Sequence, residues 1–258
     1  MRAKKSFGQH FLNKEAIAER IAHSLQLSDS YQKILEVGPG RGMLTKYLLK
    51  KEQELVVIEA DRDMVLHLQK HFPELKGQII AQDFLKTPLE SFFPDQQSFA
   101  LIGNYPYNIS SQILFKMLEY RTQIPEMVGM FQKEVAERIV APPGSKTYGV
   151  ISVLIQAYYE GELLFAVGRG NFTPPPKVES AVIRLVRKAN DDLGCDYKML
   201  RRVVKQAFGQ RRKMLRNTMK TFSKDKEFLS LEILSKRPEQ LSLEEFVDLT
   251  RRIEVISH

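Results

Sequence analysis

The apolar positions of this chain change character twice. Residues 14–26 carry Ile17, Ile21 and Leu25 at helical spacing, which predicts a helix. Short apolar runs then alternate with helical patterns. Residues 33–37, 55–58, 78–81, 99–102 and 127–131 read as strands. Residues 43–51, 62–71, 111–120 and 149–158 read as helices between or after them. Two further runs, 163–167 and 181–186, read as closing strands. Strands alternating with helices predict an α/β fold around a parallel sheet. After Lys188 the pattern changes again. Asn190 to Gly194 is polar and reads as a linker, and everything beyond it has helical spacing only. Ser242 is a good N-cap for the last helix, with Glu245 at the reciprocal capping position. The expected division is a domain at 1–188 and a small all-helical domain at 189–258.

Composition narrows the class. A chain of 258 residues fits one or two domains. Its 43% hydrophobic and 27% charged residues are ordinary for a globular protein. No apolar run approaches the ~20 residues of a membrane span, and the basic N-terminus is not followed by the apolar stretch of a secretory signal. The single cysteine, Cys195, allows neither an internal disulfide nor a cysteine metal cluster. A cytoplasmic location and no membrane partner are expected. His67 and His71 are four apart, but no carboxylate or cysteine completes a ligand set, so they read as a solvated helix face and no metal is expected.

The charge is uneven. Between Tyr197 and Lys220 there are nine basic residues and no acidic one. Without those nine, 30 of the 39 basic residues remain against 31 acidic ones. The net +8 is therefore a local patch, and a local patch reads as a docking site for a polyanion. Arg211, Arg212, Lys213 and Arg216 are its densest part. A solvated helix face or an anionic membrane surface would use the same residues, but the segment lacks the apolar stripe of large aromatics that a membrane surface favours.

Four strand ends carry candidate chemistry. Glu36-Val37-Gly38-Pro39-Gly40-Arg41-Gly42 follows the first long strand and opens a helix. Glycines there permit a sharp turn and close approach of a ligand. They fall at positions one, three and five, whereas a dinucleotide fingerprint wants the third at position six, which is Met43. That departure argues against a pyrophosphate and for an amino-acid-bearing nucleoside, S-adenosylmethionine. Glu59 ends the next strand, 21 residues after Gly38, where a carboxylate can accept from both ribose hydroxyls. Asp83 follows the third strand and could accept from the adenine amino group. Asn104-Tyr105-Pro106-Tyr107 follows the fourth. An amide acceptor, a fixed backbone and a flat ring suit a heterocycle with an exocyclic amine. A strand and tight turn with Tyr107 in the core would use the same residues. In open α/β sheets ligands sit beyond the carboxyl ends of the strands, and all four groups fall there.

These residues, in this order, resemble the KsgA (RsmA) family of small-subunit rRNA adenine dimethyltransferases. The resemblance covers nearly the full length. It also rests on Ser6-Phe7-Gly8-Gln9-His10-Phe11-Leu12, on Val57-Ile58-Glu59-Ala60-Asp61 with Gln82-Asp83, on Phe172-Thr173-Pro174-Pro175-Pro176-Lys177-Val178-Glu179-Ser180, and on Phe208-Gly209-Gln210-Arg211-Arg212-Lys213. It implies a Rossmann-like class I methyltransferase sheet with a small all-helical C-terminal domain. It implies cofactor contacts at His10, Leu12, Gly38, Gly40, Glu59, Asp83 and Asn104. The implied reaction places two methyl groups on N6 of each of two adjacent adenosines near the 3′ end of 16S rRNA, in a small ribosomal subunit precursor, by a monomer. His10 and Tyr105 depart from the asparagine and leucine common at these places in the family.

On that footing the Asn104 side-chain oxygen and the Tyr105 backbone carbonyl would accept from the adenine amine, Pro106 would fix the turn, and Tyr107 would stack on the extruded base. Phe172 would flank the same base. Two rival readings remain: an Erm-type 23S rRNA adenine dimethyltransferase, and an RNA-binding ribosome-assembly factor with secondary catalysis. The Pro174-to-Ser180 segment and the Arg211-Arg212-Lys213 cluster favour the small-subunit family over the first.

Overall fold

The computed structural model describes Lys4 and residues 8–94, 97–190 and 192–257. Ser6 and Phe7 of the N-terminal motif and Asp191 of the predicted linker lie outside the described residues. The chain separates into two compact units, Met1–Ala136 with Gly161–Arg187, and Glu137–Glu160 with Lys188–His258.

In the first unit the described chain opens with β1 (Phe11–Leu12) and α1 (Glu15–Ala22), followed by β2 (Lys33–Val37), α2 (Thr45–Leu48), β3 (Glu54–Ile58) and α3 (Arg62–His71). Then come β4 (Ile79–Ile80), β5 (Phe99–Asn104), α4 (Ser110–Glu119) and β6 (Glu126–Gln132). The chain runs through α5 (Lys133–Ile139) and α6 (Val150–Gln156) into β7 (Tyr159–Val167), β8 (Phe172–Thr173) and β9 (Ser180–Arg187). Seven strands form one sheet in the order β4-β3-β2-β5-β6-β9-β7, and β1 pairs with β8 separately. Strand β2 lies between β3 and β5 and is parallel to both. Chain order reverses there, which opens a crevice at the carboxyl ends of those strands.

The central strands are buried on both faces, as near-continuous apolar runs require. Helix α1 buries Ala18 and Ile21, α3 buries Met64 and Leu68, and α4 buries Ile113, Leu114 and Met117. The Glu126 carboxyl is buried beside them. The Glu126 carboxylate, 0% exposed, accepts from the backbone N–H groups of Gln26 and Leu27 and from the Tyr31 hydroxyl (2.9–3.1 Å). A buried carboxylate needs such donors to offset its desolvation.

Two elements differ from the sequence expectation. The sheet is mixed, because β9 runs antiparallel to β6. The link between β7 and β9 holds no α-helix and cannot make the crossover that parallel neighbours require. The helix expected over 43–51 shortens to α2, because its first residues belong to the turn that Gly38, Gly40 and Gly42 set with φ values of 68°, 55° and 79°.

The second unit adds α7 (Tyr197–Gly209), α8 (Leu215–Met219), α9 (Lys226–Ser230) and α10 (Leu243–Ser257). One passage between units lies at Arg187 and Lys188, beside the division expected from the sequence. Residues 137–160, expected in the first domain, group with these helices. Their packing explains it: the Tyr148 ring meets Phe208 edge-on at 6.1 Å. The Gly144 N–H also donates to the Glu239 carbonyl at 2.7 Å. The capping box of α10 forms as the sequence predicts, with Ser242 N–H donating to Glu245 (2.9 Å) and Glu245 N–H to Ser242 Oγ (3.2 Å). Among the described residues no helix is long and apolar enough to cross a membrane.

Candidate active site

A cavity of about 610 Å³ opens at the carboxyl ends of β2, β3, β4 and β5. Gly38, Gly40, Glu59, Asp83 and Asn104 line it, as do His10 and Leu12 from the N-terminal segment and Tyr105, Pro106 and Tyr107 from the turn after β5. Residues as distant along the chain as Gly38 and Asn104 thus line one cavity because four strands end at one edge, and the N-terminal segment adds His10 to them. Phe172 is the exception. It is 3% exposed in β8, opposite Leu12, within the apolar core, and does not reach the cavity.

The glycine turn leaves space for a ligand. A Cβ built on Gly38 meets nothing within 4 Å. A Cβ on Gly42 would fall 2.3 Å from the Phe72 ring, so that position must stay bare for the turn to seat on the fold. Glu59, 7% exposed, accepts from Gly40 N–H (3.1 Å) and Asp61 N–H (2.8 Å) through its two oxygens. Burial raises its pKa, and the two N–H bonds oppose that rise. Each oxygen keeps lone-pair capacity for a further donor.

Asp83 is held by its own loop. Its side chain accepts from Leu85 N–H (2.9 Å), and its carbonyl accepts from Thr87 Oγ1 (2.7 Å). Behind this loop the Lys116 ammonium donates to the carbonyls of Phe84 and Thr87. The N-terminal segment is tied down by Asp61, which is 1% exposed. Asp61 accepts from Lys4 (2.6 Å) and Gln9 (2.9 Å), and Lys4 also pairs with Asp63 (2.7 Å). Gln9, Asp61 and Lys116 are supporting residues that sequence reasoning gave no role. Gln9 and Asp61 stand inside the motifs that carry the family resemblance, whereas nothing along the chain marks Lys116.

At the end of β5 the Asn104 amide donates through Nδ2 to the His10 carbonyl at 3.1 Å. Asn104 itself is part of the cavity lining. The Tyr105 ring fills a slot over Gly103 and Gly129, where Cβ atoms would come within 2.8 and 2.1 Å of it. The Tyr105 hydroxyl is buried with no hydrogen-bond partner among the described residues. Tyr107 is half-buried, and its hydroxyl is 2.6 Å from Ser180 Oγ on β9.

Glu36 lies beneath the glycine turn, 2% exposed, accepting from Thr45 Oγ1 at 2.7 Å. Burial, with a smaller contribution from the charge of Glu59, pushes its pKa up from 4.5 to about 8. The folded state thus keeps a proton that the unfolded chain releases above its ordinary carboxylate pKa. Stability from this group is complete below 4.5 and is lost as pH rises through about 8. Glu36→Gln does not titrate, so its melting temperature relative to the parent should climb from pH 5 to pH 9. Even a tenfold difference in proton affinity between the folded and unfolded chain is worth ~1.4 kcal/mol, or about 3–6 °C at the ~2–4 °C per kcal/mol typical of 150–250 residues. A difference that stays flat with pH would remove Glu36 as the titrating group.

His67 and His71 share one face of α3, with ring centroids 4.3 Å apart. Among the described residues no group of three or more His, Cys, Asp or Glu could hold a metal ion.

In the second unit α7 buries Leu200, Val203, Val204 and Ala207 and turns Lys198, Arg202 and Lys205 to solvent. Arg212, Lys213, Arg216 and Lys220 are exposed as well. Arg211 is partly withdrawn: it donates to the Ser145 carbonyl (3.1 Å) and approaches Glu239 at 3.8 Å. It braces its unit while its neighbours face outward.

Comparisons with known proteins identify the family. The profile of the family described as ribosomal RNA adenine dimethylase matches residues 1–254. The ribosomal RNA small subunit methyltransferase A of Parabacteroides distasonis is 55% identical over 97% of this chain and 93% of its own length. Its counterpart from Cytophaga hutchinsonii is 52% identical over 98% of each. Among solved structures, a dimethyladenosine transferase from Plasmodium falciparum is similar in fold, with a TM-score of 0.80 at 24% identity over 95% of this chain and 98% of that one. The 23S rRNA methyltransferase ErmE has a TM-score of 0.68 at 22% identity over 95% of this chain and 99% of its own. These neighbours share the expected class I methyltransferase sheet. A full-length profile match and relatives above 50% identity make this chain a member of the ribosomal RNA adenine dimethylase family.

Proposed function

We propose that this methyltransferase uses S-adenosylmethionine to place two methyl groups on N6 of each of two adjacent adenosines near the 3′ end of 16S rRNA, in a small-subunit precursor in the cytoplasm. One observation carries the reading: a single cavity gathers a bare glycine turn, two strand-end carboxylates and the Asn104-to-Tyr107 turn. Its volume lies within the ~300–1,000 Å³ usual for cofactor sites. The donor set fits the cofactor: Glu59 for the ribose hydroxyls, Asp83 for the adenine amine, and the Gly38–Gly40 backbone for the amino-acid end.

When bound, S-adenosylmethionine supplies an electrophilic sulfonium methyl group and departs as a neutral thioether. The chain's own residues supply position. An adenine N6 lone pair is delocalised into the ring, which makes it a poor nucleophile. Asn104 Oδ1 and the Tyr105 carbonyl accept from the amine and favour the pyramidal nitrogen that can attack. The Asn104 amide is oriented for this by its bond to the His10 carbonyl. Tyr107 stacks on the extruded base, worth ~1–3 kcal/mol, and Ser180 fixes its tilt. Alignment of this kind can supply ~7–11 kcal/mol of the barrier. Phe172 is set back from the cavity here and would reach the base only if β8 moved.

The exposed cations of the second unit hold RNA phosphates. If about five are neutralised, log affinity should fall with log salt at a slope of about −4. Replacing Arg212, Lys213 and Arg216 by glutamine should flatten that slope by about 2–3. A slope unchanged by the triple substitution would move the RNA site elsewhere. Primer extension on both rRNAs from a strain lacking the gene, after treatment with the purified enzyme, tests the substrate. Stops in 16S rRNA alone support the reading, and stops in 23S rRNA would transfer it to the Erm type.

A further inference from the structure

We propose that the His10 side chain is a placeholder for the target base. It covers the stacking face of Tyr107 while RNA is absent and swings away when the adenine enters. The proposal rests on the reading that Tyr107 stacks that adenine. In the structure the His10 and Tyr107 rings are stacked, with centroids 5.4 Å apart and planes at 25°. Offset aromatic pairs sit about 4.5–7 Å apart. This pair is already closed, and no third ring fits between them.

The imidazole is also tethered. Its Nδ1 lies 2.8 Å from the Pro174 carbonyl, which can only accept, so Nδ1 carries the hydrogen. Tyr107 is fixed at its far edge by Ser180. The His10 backbone is fixed too, by Asn104 Nδ2 on its carbonyl and by the β1–β8 pairing that begins at the next residue. The parts free to change are therefore the χ angles of His10. The ring leaves by giving up one stack and one solvent-accessible hydrogen bond. The incoming adenine restores the stack on Tyr107 with a larger surface. The same backbone that carries the gate also orients Asn104, so the amide keeps its aim while the ring moves.

Two measurements at saturating S-adenosylmethionine test this. Replacing the ring by His10→Asn or His10→Ala should lower the KM for 16S rRNA by about 2- to 10-fold, because the base no longer displaces a stacked ring. His10→Phe, which keeps a stack, should stay near the parent KM. Separately, with ¹³C-labelled histidine the five histidines give five ring signals. His10, identified by its loss in His10→Asn, should show the ring-current shift of a stacked imidazole. It should lose that shift when a methyl-acceptor 16S fragment is added with S-adenosylhomocysteine. If the parent enzyme methylates the fragment but the His10 signal stays put, and the KM is unchanged or raised in all three variants, the placeholder role is wrong and the functional reading stands. If the parent enzyme methylates neither the fragment nor a small-subunit precursor, both fall.

Discussion

Asn104→Ala should lose methyl transfer to 16S rRNA by about 10²–10³-fold, the usual cost of removing one preorganised polar group from a reacting centre. Cofactor binding should remain measurable by calorimetry. The expectation follows from position. Asn104 is the last residue of β5 and its Nδ2 is committed to the His10 carbonyl; in the proposed reading its oxygen accepts from the substrate amine. Alanine removes the acceptor and releases the N-terminal segment at the same point. Thermal melting of the variant separates a lost contact from a lost fold. Transfer within a few-fold of the parent enzyme would take Asn104 out of the chemistry.

Glu59→Ala should act on the cofactor instead. Its carboxylate holds Gly40 N–H and Asp61 N–H and keeps capacity for two ribose hydroxyls. Hydrogen bonds to a charged group are worth ~1.5–3 kcal/mol each. Losing two ribose contacts, and freeing the glycine turn, should raise the Kd for S-adenosylmethionine by about 100-fold or more, read by calorimetry. Turnover at saturating cofactor should fall much less, because the proposed reading gives Glu59 the ribose and not the reacting centre. A Kd within two-fold of the parent would mean that the ribose is held by other groups.

Much of this site is legible along the chain because it is built from strand ends. Gly38, Glu59, Asp83 and Asn104 each follow an apolar run, and parallel strands bring such positions to one edge. What escapes the sequence is what depends on packing across distant segments. The shift of residues 137–160 to the second unit rests on contacts such as Tyr148 with Phe208, which no local pattern announces. The Phe172 ring reads as a stacking partner in a proline-rich loop, yet pairing of β8 with β1 turns it into the core. Arg211 reads as one more cation, but Ser145 and Glu239 claim it. Lys116 carries no signal at all, since its role is set by two carbonyls about 30 residues upstream. The closing antiparallel strand β9 has the same apolar pattern as a parallel one, and only the missing crossover helix distinguishes it.

The most direct test is mass spectrometry of the 16S rRNA from unmodified small-subunit precursors treated with the purified protein and isotopically labelled S-adenosylmethionine. The expected product is N6,N6-dimethyladenosine at two neighbouring positions near the 3′ end, with both methyl groups on each residue carrying the label. Label found on another base, on another ring atom, or nowhere in that RNA would contradict it.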